Sequence, residues 1–284
     1  MSPLSPQTIA ARYIAACEAE LDALKPGNVH RIAGGHRMEV EAFETSARVS
    51  APHITGESRS LGRRVLGAVR ATREAVGENT NLGILLLCAP LAMAAERGGD
   101  LRAGVAEALA GLTSADAADV FAAIALASPG GLGSAENADV REPPNVGLLD
   151  AMRIAAPRDR IARAYTDALA DVFAIGLPSL AGSERPDLAP ATRCFLAFAA
   201  RFPDSHIARK YGSERAELIR GRFETLTKQL KANANPETAR AALLDLDHAL
   251  KSEGVNPGTS ADFTVASIFA MSLSGGLKID EADG

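Results

Sequence analysis

Along most of the chain apolar residues return every three or four positions, with small or polar residues between them. Ile9, Tyr13, Ile14 and Cys17 make one such stripe; Val105, Leu109 and Leu112, then Phe195, Phe198 and Phe202, then Leu243, Leu246 and Leu250 make others. At 3.6 residues per turn each set falls on one side of a helix, where it can be buried against another helix. No stretch shows the strict alternation of a half-buried strand. The pattern predicts an all-α fold, helical from about Ser5 to Gly275.

Breaks between the stripes are regular: Lys25-Pro26-Gly27, Pro129-Gly130-Gly131, Pro143-Pro144, Pro178, Pro186, Pro190, Asn235-Pro236 and Asn256-Pro257-Gly258. They divide the chain into ten or more helices. Capping side chains stand where helices should begin, at Thr113-Ser114, Ser213 and Asn235. Neither a low-complexity linker nor a fixed-period repeat interrupts the pattern, so residues 1–284 are expected to form one domain. The Gly-, Pro- and Asn-rich stretch from Gly130 to Gly147 is expected to be a long loop, and Lys278 to Gly284 a tail.

Composition narrows the function. A hydrophobic share of 47% with 23% charged residues is that of a folded chain, and 4% aromatics with no tryptophan suits helices packed closely on helices. The net charge of -5, from 35 acidic and 30 basic residues, gives no broad positive field for nucleic acid. Cys17, Cys88 and Cys194, far apart and among apolar neighbours, read as buried thiols of a reducing compartment. Met1 to Ala10 has no signal-peptide character. The apolar run Ile84 to Ala95, interrupted by Pro90, is too short to span a bilayer. A cytoplasmic protein with no membrane partner follows, and its apolar helix faces permit, without requiring, a homodimer.

Against this alanine-rich background the polar residues gather beside Gly and Pro breaks. Glu20 to Arg31 carries two acids and several cations: Lys25 and Arg31 could hold phosphate oxygens, while Glu20 and Asp22 could hold magnesium, or the run is simply a solvated helix stop. Gly34-Gly35-His36 would let backbone amides approach an anion, or is a hinge. Asn79-Thr80-Asn81 could read a base or ribose, and is equally a helix start. In Asn256 to Asp262, Ser260 would cap the last helix and Asp262 would lie in its first turn, free to bind a metal. Asp204 to Lys210 mixes acid, histidine and base. The five histidines show no zinc spacing, so oxygen ligands for magnesium are the better expectation.

Taken in order, these clusters resemble the triphosphoribosyl-dephospho-CoA synthase family over nearly the whole chain. The family's Lys-Pro-Gly-x-Val-x-Arg is matched by Lys25, Pro26, Gly27, Val29 and Arg31, and its Gly-Ala-His by Gly34-Gly35-His36. Its Asn-Thr-His-Lys-Gly is similar to Asn79-Thr80-Asn81-Leu82-Gly83, its Asp-Thr-Asn-Val-Ala-x-Arg to Asp204 through Lys210, and its Pro-Gly-Gly-Ser-Ala-Asp-Leu to Pro257 through Phe263. The chain has Asn81 and Leu82 in place of the family's His and Lys, and Arg37-Met38 in place of its Lys-Asp. In this it resembles a divergent branch associated with one-carbon cofactors of the methanopterin or methanofuran type.

The resemblance implies an all-helical enzyme that uses ATP with Mg2+, moves the triphosphoribosyl group of ATP to dephospho-CoA or another cofactor precursor, and releases adenine. It implies Asp204, Asp262 and His36 as the catalytic set, with Asp204 as general base or second metal ligand, and Glu20 and Asp262 as metal ligands. Lys25, Arg31 and His36 would contact phosphates, Asn79 and Thr80 the nucleoside, and Gly27, Asn28, Asn81, Arg209 and Ser260 would complete the nucleotide site. The competing reading is a helical protein that binds a nucleotide without turnover.

Overall fold

Fourteen α-helices account for most of the described chain: α1 (Pro6–Leu21), α2 (Val40–Ile54), α3 (Leu61–Val76), α4 (Leu82–Arg97), α5 (Leu101–Ala110), α6 (Ser114–Ala127), α7 (Leu148–Ala155), α8 (Arg160–Thr166), α9 (Leu177–Ala181), α10 (Pro190–Ala199), α11 (Ser205–Tyr211), α12 (Ser213–Ala232), α13 (Pro236–Ser252) and α14 (Gly258–Leu273). A π-helical turn, Val172–Gly176, precedes α9. The structure is a computed structural model that describes residues 1–33, 40–56, 59–127, 146–182, 185–232 and 235–275, and among these there is no strand. The expected loop at Gly130 to Gly147 lies outside the described residues except for its end, and so does the expected tail from Lys278.

The stripes read from sequence are the buried faces. Ile9, Tyr13, Cys17, Val105 and Leu109 lie in one apolar cluster built mainly from α1 to α8 and α14, while Phe195, Leu243 and Leu250 lie in a second one built from α10 to α14. Helix α14 takes part in both, and nearly all of it is buried. Its polar side chains survive there because their hydroxyls bond back to the helix: Thr264 donates to the Ser260 carbonyl at 2.8 Å, Ser267 to Phe263 at 2.7 Å and Ser272 to Phe269 at 2.7 Å. Close approach is enforced by Gly176, where a Cβ would come 1.9 Å from Ser267 Oγ. The cores also enclose Cys17, Cys88 and Cys194 as free thiols.

A buried ion pair ties α3 to α4. Arg64 donates to Glu96 Oε1 at 2.9 Å and Oε2 at 2.6 Å, and to the carbonyls of Ile54 and Gly56 at 2.8 and 2.6 Å, so every charge it brings inside is answered.

Several helix starts fall where expected. Thr113 and Asp116 bond reciprocally at the head of α6, and Asn235 Oδ1 accepts from the Glu237 and Thr238 amides at 2.9 and 3.1 Å. Three expectations are corrected. Pro90 does not interrupt its run but sits inside α4. Ser260 does not cap α14, which begins at Gly258, and Asp262 lies beyond its first turn. No helix among the described residues is long and apolar enough to cross a membrane.

Candidate active site

The head of α14 is held by an acid from another helix. Asp204, the N-cap of α11, accepts the amides of His206 (2.9 Å) and Ile207 (3.4 Å) on one oxygen, and the amide (2.8 Å) and hydroxyl (2.9 Å) of Ser260 on the other. One buried carboxylate thus starts α11 and fastens it to α14. Both of its oxygens are spent on this, which suits a clamp better than a base.

Asp262, two residues on from Ser260, is its opposite. It is mostly buried, with some exposure left, and makes no hydrogen bond among the described residues. Its carboxyl lies against the first turn of α4, where a Cβ on Gly83 would fall 2.1 Å from Oδ2. Burial pushes the carboxyl well above the usual carboxylate range; Asp204 pushes the same way, Arg209 opposes, and Glu20 and Asp159 add to the rise. Three other acids and one arginine, from α1, α11 and the head of α8, therefore lie within electrostatic reach of Asp262 on α14. Arg209 donates Nη1 to Asp159 Oδ2 at 2.5 Å, and Asp159 also caps α8 through the amides of Ile161 (2.9 Å) and Ala162 (3.0 Å).

The end of α1 contributes a sealed pair. Lys25 Nζ donates to Glu20, to Asn28 Oδ1 at 2.9 Å and to the Val29 carbonyl at 2.7 Å, which uses all three of its protons inside the protein. Burial lowers the Lys25 pKa and raises that of Glu20, each resisted by the opposite charge of the other. Asn28 joins this loop to the turn before α14 by a 2.7 Å bond to Asn256. Gly27, at φ +79°, gives its amide to Asp247 Oδ1 at 2.8 Å, and a Cβ there would strike Leu250 at 2.8 Å. Asp247 in turn faces His30 Nε2 at 3.3 Å and accepts Lys251 at 2.9 Å.

Of the remaining residues singled out from sequence, Asn79 accepts the Leu82 amide at 3.1 Å and so starts α4, and Thr80 shares a 2.6 Å bond with Ser46. Asn81, buried, donates to Thr72 at 3.1 Å and Ser50 at 3.3 Å, joining α2, α3 and α4. Arg31 stands at the surface, paired with Asp22 and Glu44. His36 lies outside the described residues. Glu20, Asp204, Arg209, Ser260 and Asp262 are brought together, with Asn79 to Asn81 just before the Gly83 contact and Lys25 reaching the group through Glu20. Among the described residues no side-chain hydrogen bond or ion pair joins Arg31 to them.

Sequence reading missed Gly83 as the seat of Asp262, Asp159 as the partner of Arg209, and the Asp247–Lys251–His30 group. Two of these left a signal. Asp159 follows Pro157-Arg158, a helix start of the kind recognised elsewhere, and Asp247 falls inside the apolar stripe between Leu243 and Leu250. Among the described residues no three His, Cys, Asp or Glu side chains are arranged to hold a metal by themselves. An open groove of about 630 Å³ between α12 and α13, lined by Leu218, Leu226 and Leu246 among others, includes none of the candidate residues.

Comparison with known proteins agrees with this architecture. The crystal structure of a "putative triphosphoribosyl-dephospho-coA synthase from Archaeoglobus fulgidus" is similar with a TM-score of 0.60 and 25% identity, over 82% of this chain and 96% of that one. No curated protein matches. The model of the family described as ATP:dephospho-CoA triphosphoribosyl transferase matches residues 6–280, and the chain with its acid-lined head of α14 belongs to that family of transferases of cofactor biosynthesis.

Proposed function

We propose that the whole chain is one catalytic unit that transfers the triphosphoribosyl group of ATP to dephospho-CoA, and that the reaction takes place at the head of α14. In this reaction an acceptor ribose hydroxyl forms a bond to C1′ of ATP, and the bond from C1′ to adenine breaks. The electron pair leaves with adenine, which gains a proton while the acceptor hydroxyl loses one. Asp262 is the carboxyl that meets the reacting atoms. That it makes no hydrogen bond among the described residues is the observation that carries the assignment, because a group that must take or give a proton needs a lone pair not already committed. Asp204 positions it by fixing the start of α14.

The residues fit a magnesium ion that arrives with the nucleotide. Asp262 and Glu20 are the ligands proposed, and the like charges of Asp204, Glu20 and Asp159 around Asp262 are what a cation there would offset. Magnesium is commonly held by one or two carboxylates plus substrate phosphates, so a complete protein cage is not required. When bound, the ion would offset the charge of the triphosphate. Asn79 and Thr80 support the nucleoside, and the Lys25 loop, with Gly27 and Asn28, supplies the floor of the site. His36 and Arg31 are proposed as phosphate contacts, a reading supported by the likeness of their segments to the family's motifs. The cytoplasm is the compartment proposed for this activity.

The test is incubation with ATP, magnesium and dephospho-CoA, followed by chromatography for adenine. Adenine should appear in step with modified acceptor, and Asp262→Asn should slow it by about 100-fold or more, the usual weight of a proton-transferring group. ADP or AMP in place of adenine would overturn the reading. Asn81 and Leu82 stand where the family's motif has His and Lys and bring no charge there, which supports a second acceptor in the same chemistry: adenine released only with a one-carbon cofactor precursor would transfer the assignment to that acceptor.

A further inference from the structure

Arg209 is held by only one of its edges. Nη1 is taken by Asp159 Oδ2 at 2.5 Å, Nε is buried with no acceptor, and Nη2 makes no hydrogen bond among the described residues. A buried donor left without an acceptor is costly, and more so on a charged group. The Nε–Nη2 edge is also the one that can pair with two oxygens of a phosphate at once. Among the described residues no oxygen fills that edge, although Asp262 lies within electrostatic reach of Arg209.

The anchor behind this arginine is rigid. Asp159 spends its other oxygen on the amides of Ile161 and Ala162, so its carboxyl cannot turn without uncapping α8. The next residue fixes α8 relative to α11, because the Arg160 amide donates to Ser205 Oγ at 2.9 Å. The Arg160 guanidinium lies 3.5 Å from the centre of the Phe202 ring and donates to Asp171 at 2.7 Å. Asp159 and Arg209 thus stand on two helices that cannot slide past each other easily.

We infer that Asp159 is a positioning residue: it grips Nη1 of Arg209 and so presents the Nε–Nη2 edge to the triphosphate of the nucleotide. The choice of triphosphate rests on the proposed function above; the open edge of the arginine does not. The alternative role for Asp159, a placeholder that the substrate displaces, predicts the opposite change in affinity.

Calorimetric titration with inorganic tripolyphosphate and magnesium separates these roles and needs no turnover. Asp159→Asn keeps an oxygen for the cap, so the fold should persist, and a melting curve checks it. Asp159→Asn should weaken tripolyphosphate binding about tenfold, and Arg209→Lys, which lacks the fork, by at least as much. The double variant should bind no worse than Arg209→Lys alone, since the two residues act as one unit. In the adenine assay the KM for ATP should rise in Asp159→Asn while that for dephospho-CoA stays unchanged. Binding unchanged or tighter in Asp159→Asn, additive losses in the double variant, an effect on dephospho-CoA alone, or no tripolyphosphate binding by the wild type would each overturn the inference. A wild type that binds tripolyphosphate as expected but releases no adenine would instead sink the proposed reaction and leave the role of Asp159 standing.

Discussion

Gly83 has no side chain, and its Cα is the surface on which the Asp262 carboxyl rests. In isolation an alanine early in α4 would favour the helix by up to about 1 kcal/mol. Here its methyl would come 2.1 Å from Asp262 Oδ2 and 2.8 Å from Ile161, so the carboxyl must move. Gly83→Ala is therefore expected to cut adenine release by about 100-fold while the melting temperature changes little, since the partly exposed acid can swing outward. A fully active variant would detach Asp262 from the reaction. The site was legible in part at this scale. Asp262 and Asp204 both stand out in the sequence as acids beside breaks, yet only the fold distinguishes them, because a sequence does not say whose lone pairs are spent. Lys25 was read as a phosphate ligand for its charge, and the structure commits all three of its protons to Glu20, Asn28 and Val29.

Helix ends, more than helix faces, decide how the elements meet. The faces were legible throughout, since stripes such as Ile9, Tyr13 and Cys17 need only a period, and local caps such as Asn235 need only the right residue at the right place. The cap on α14 was not legible, because the carboxyl that accepts the Ser260 amide comes from Asp204, more than fifty residues earlier. Pro90 misled for a related reason: whether a proline ends a helix depends on what surrounds it, and α4 is buried along nearly its whole length. Asp204→Ala removes the cap of α11 and the tie to α14 together. The expected cost is about 2.5–4 kcal/mol, from roughly 1 kcal/mol for the cap and about 1.5–3 kcal/mol for the charge-assisted bonds, read as a shift in the urea midpoint. A loss below about 0.5 kcal/mol would mean that the two helix heads hold each other by apolar packing alone.

For the whole molecule, two buried carboxylates, Asp116 and Asp247, contribute to the response to acid. Burial works against the charge of Asp116, but the Gly62 amide and the Thr113 amide and hydroxyl outweigh it and hold its pKa below the usual carboxylate range. Asp247 is held down in the same sense: burial is outweighed by His30, Lys251 and the Gly27 amide. A carboxylate whose folded pKa is depressed binds fewer protons in the folded state than in the unfolded one. Its contribution is thus present above the unfolded value of about 4 and lost as pH falls through the folded value. Urea midpoints taken from pH 7 to pH 3 should fall steeply below about pH 4, and Asp116→Asn should flatten that slope. An identical slope in the variant would remove Asp116 from the acid response. The free cysteines behave in the other direction. Burial raises the thiols of Cys17 and Cys88 and pushes that of Cys194 up to about 12, so in the folded chain almost no thiolate faces an oxidant or an alkylating reagent. Sulfur chemistry on this protein is therefore a record of how often the chain opens, written at sites that the closed molecule does not present.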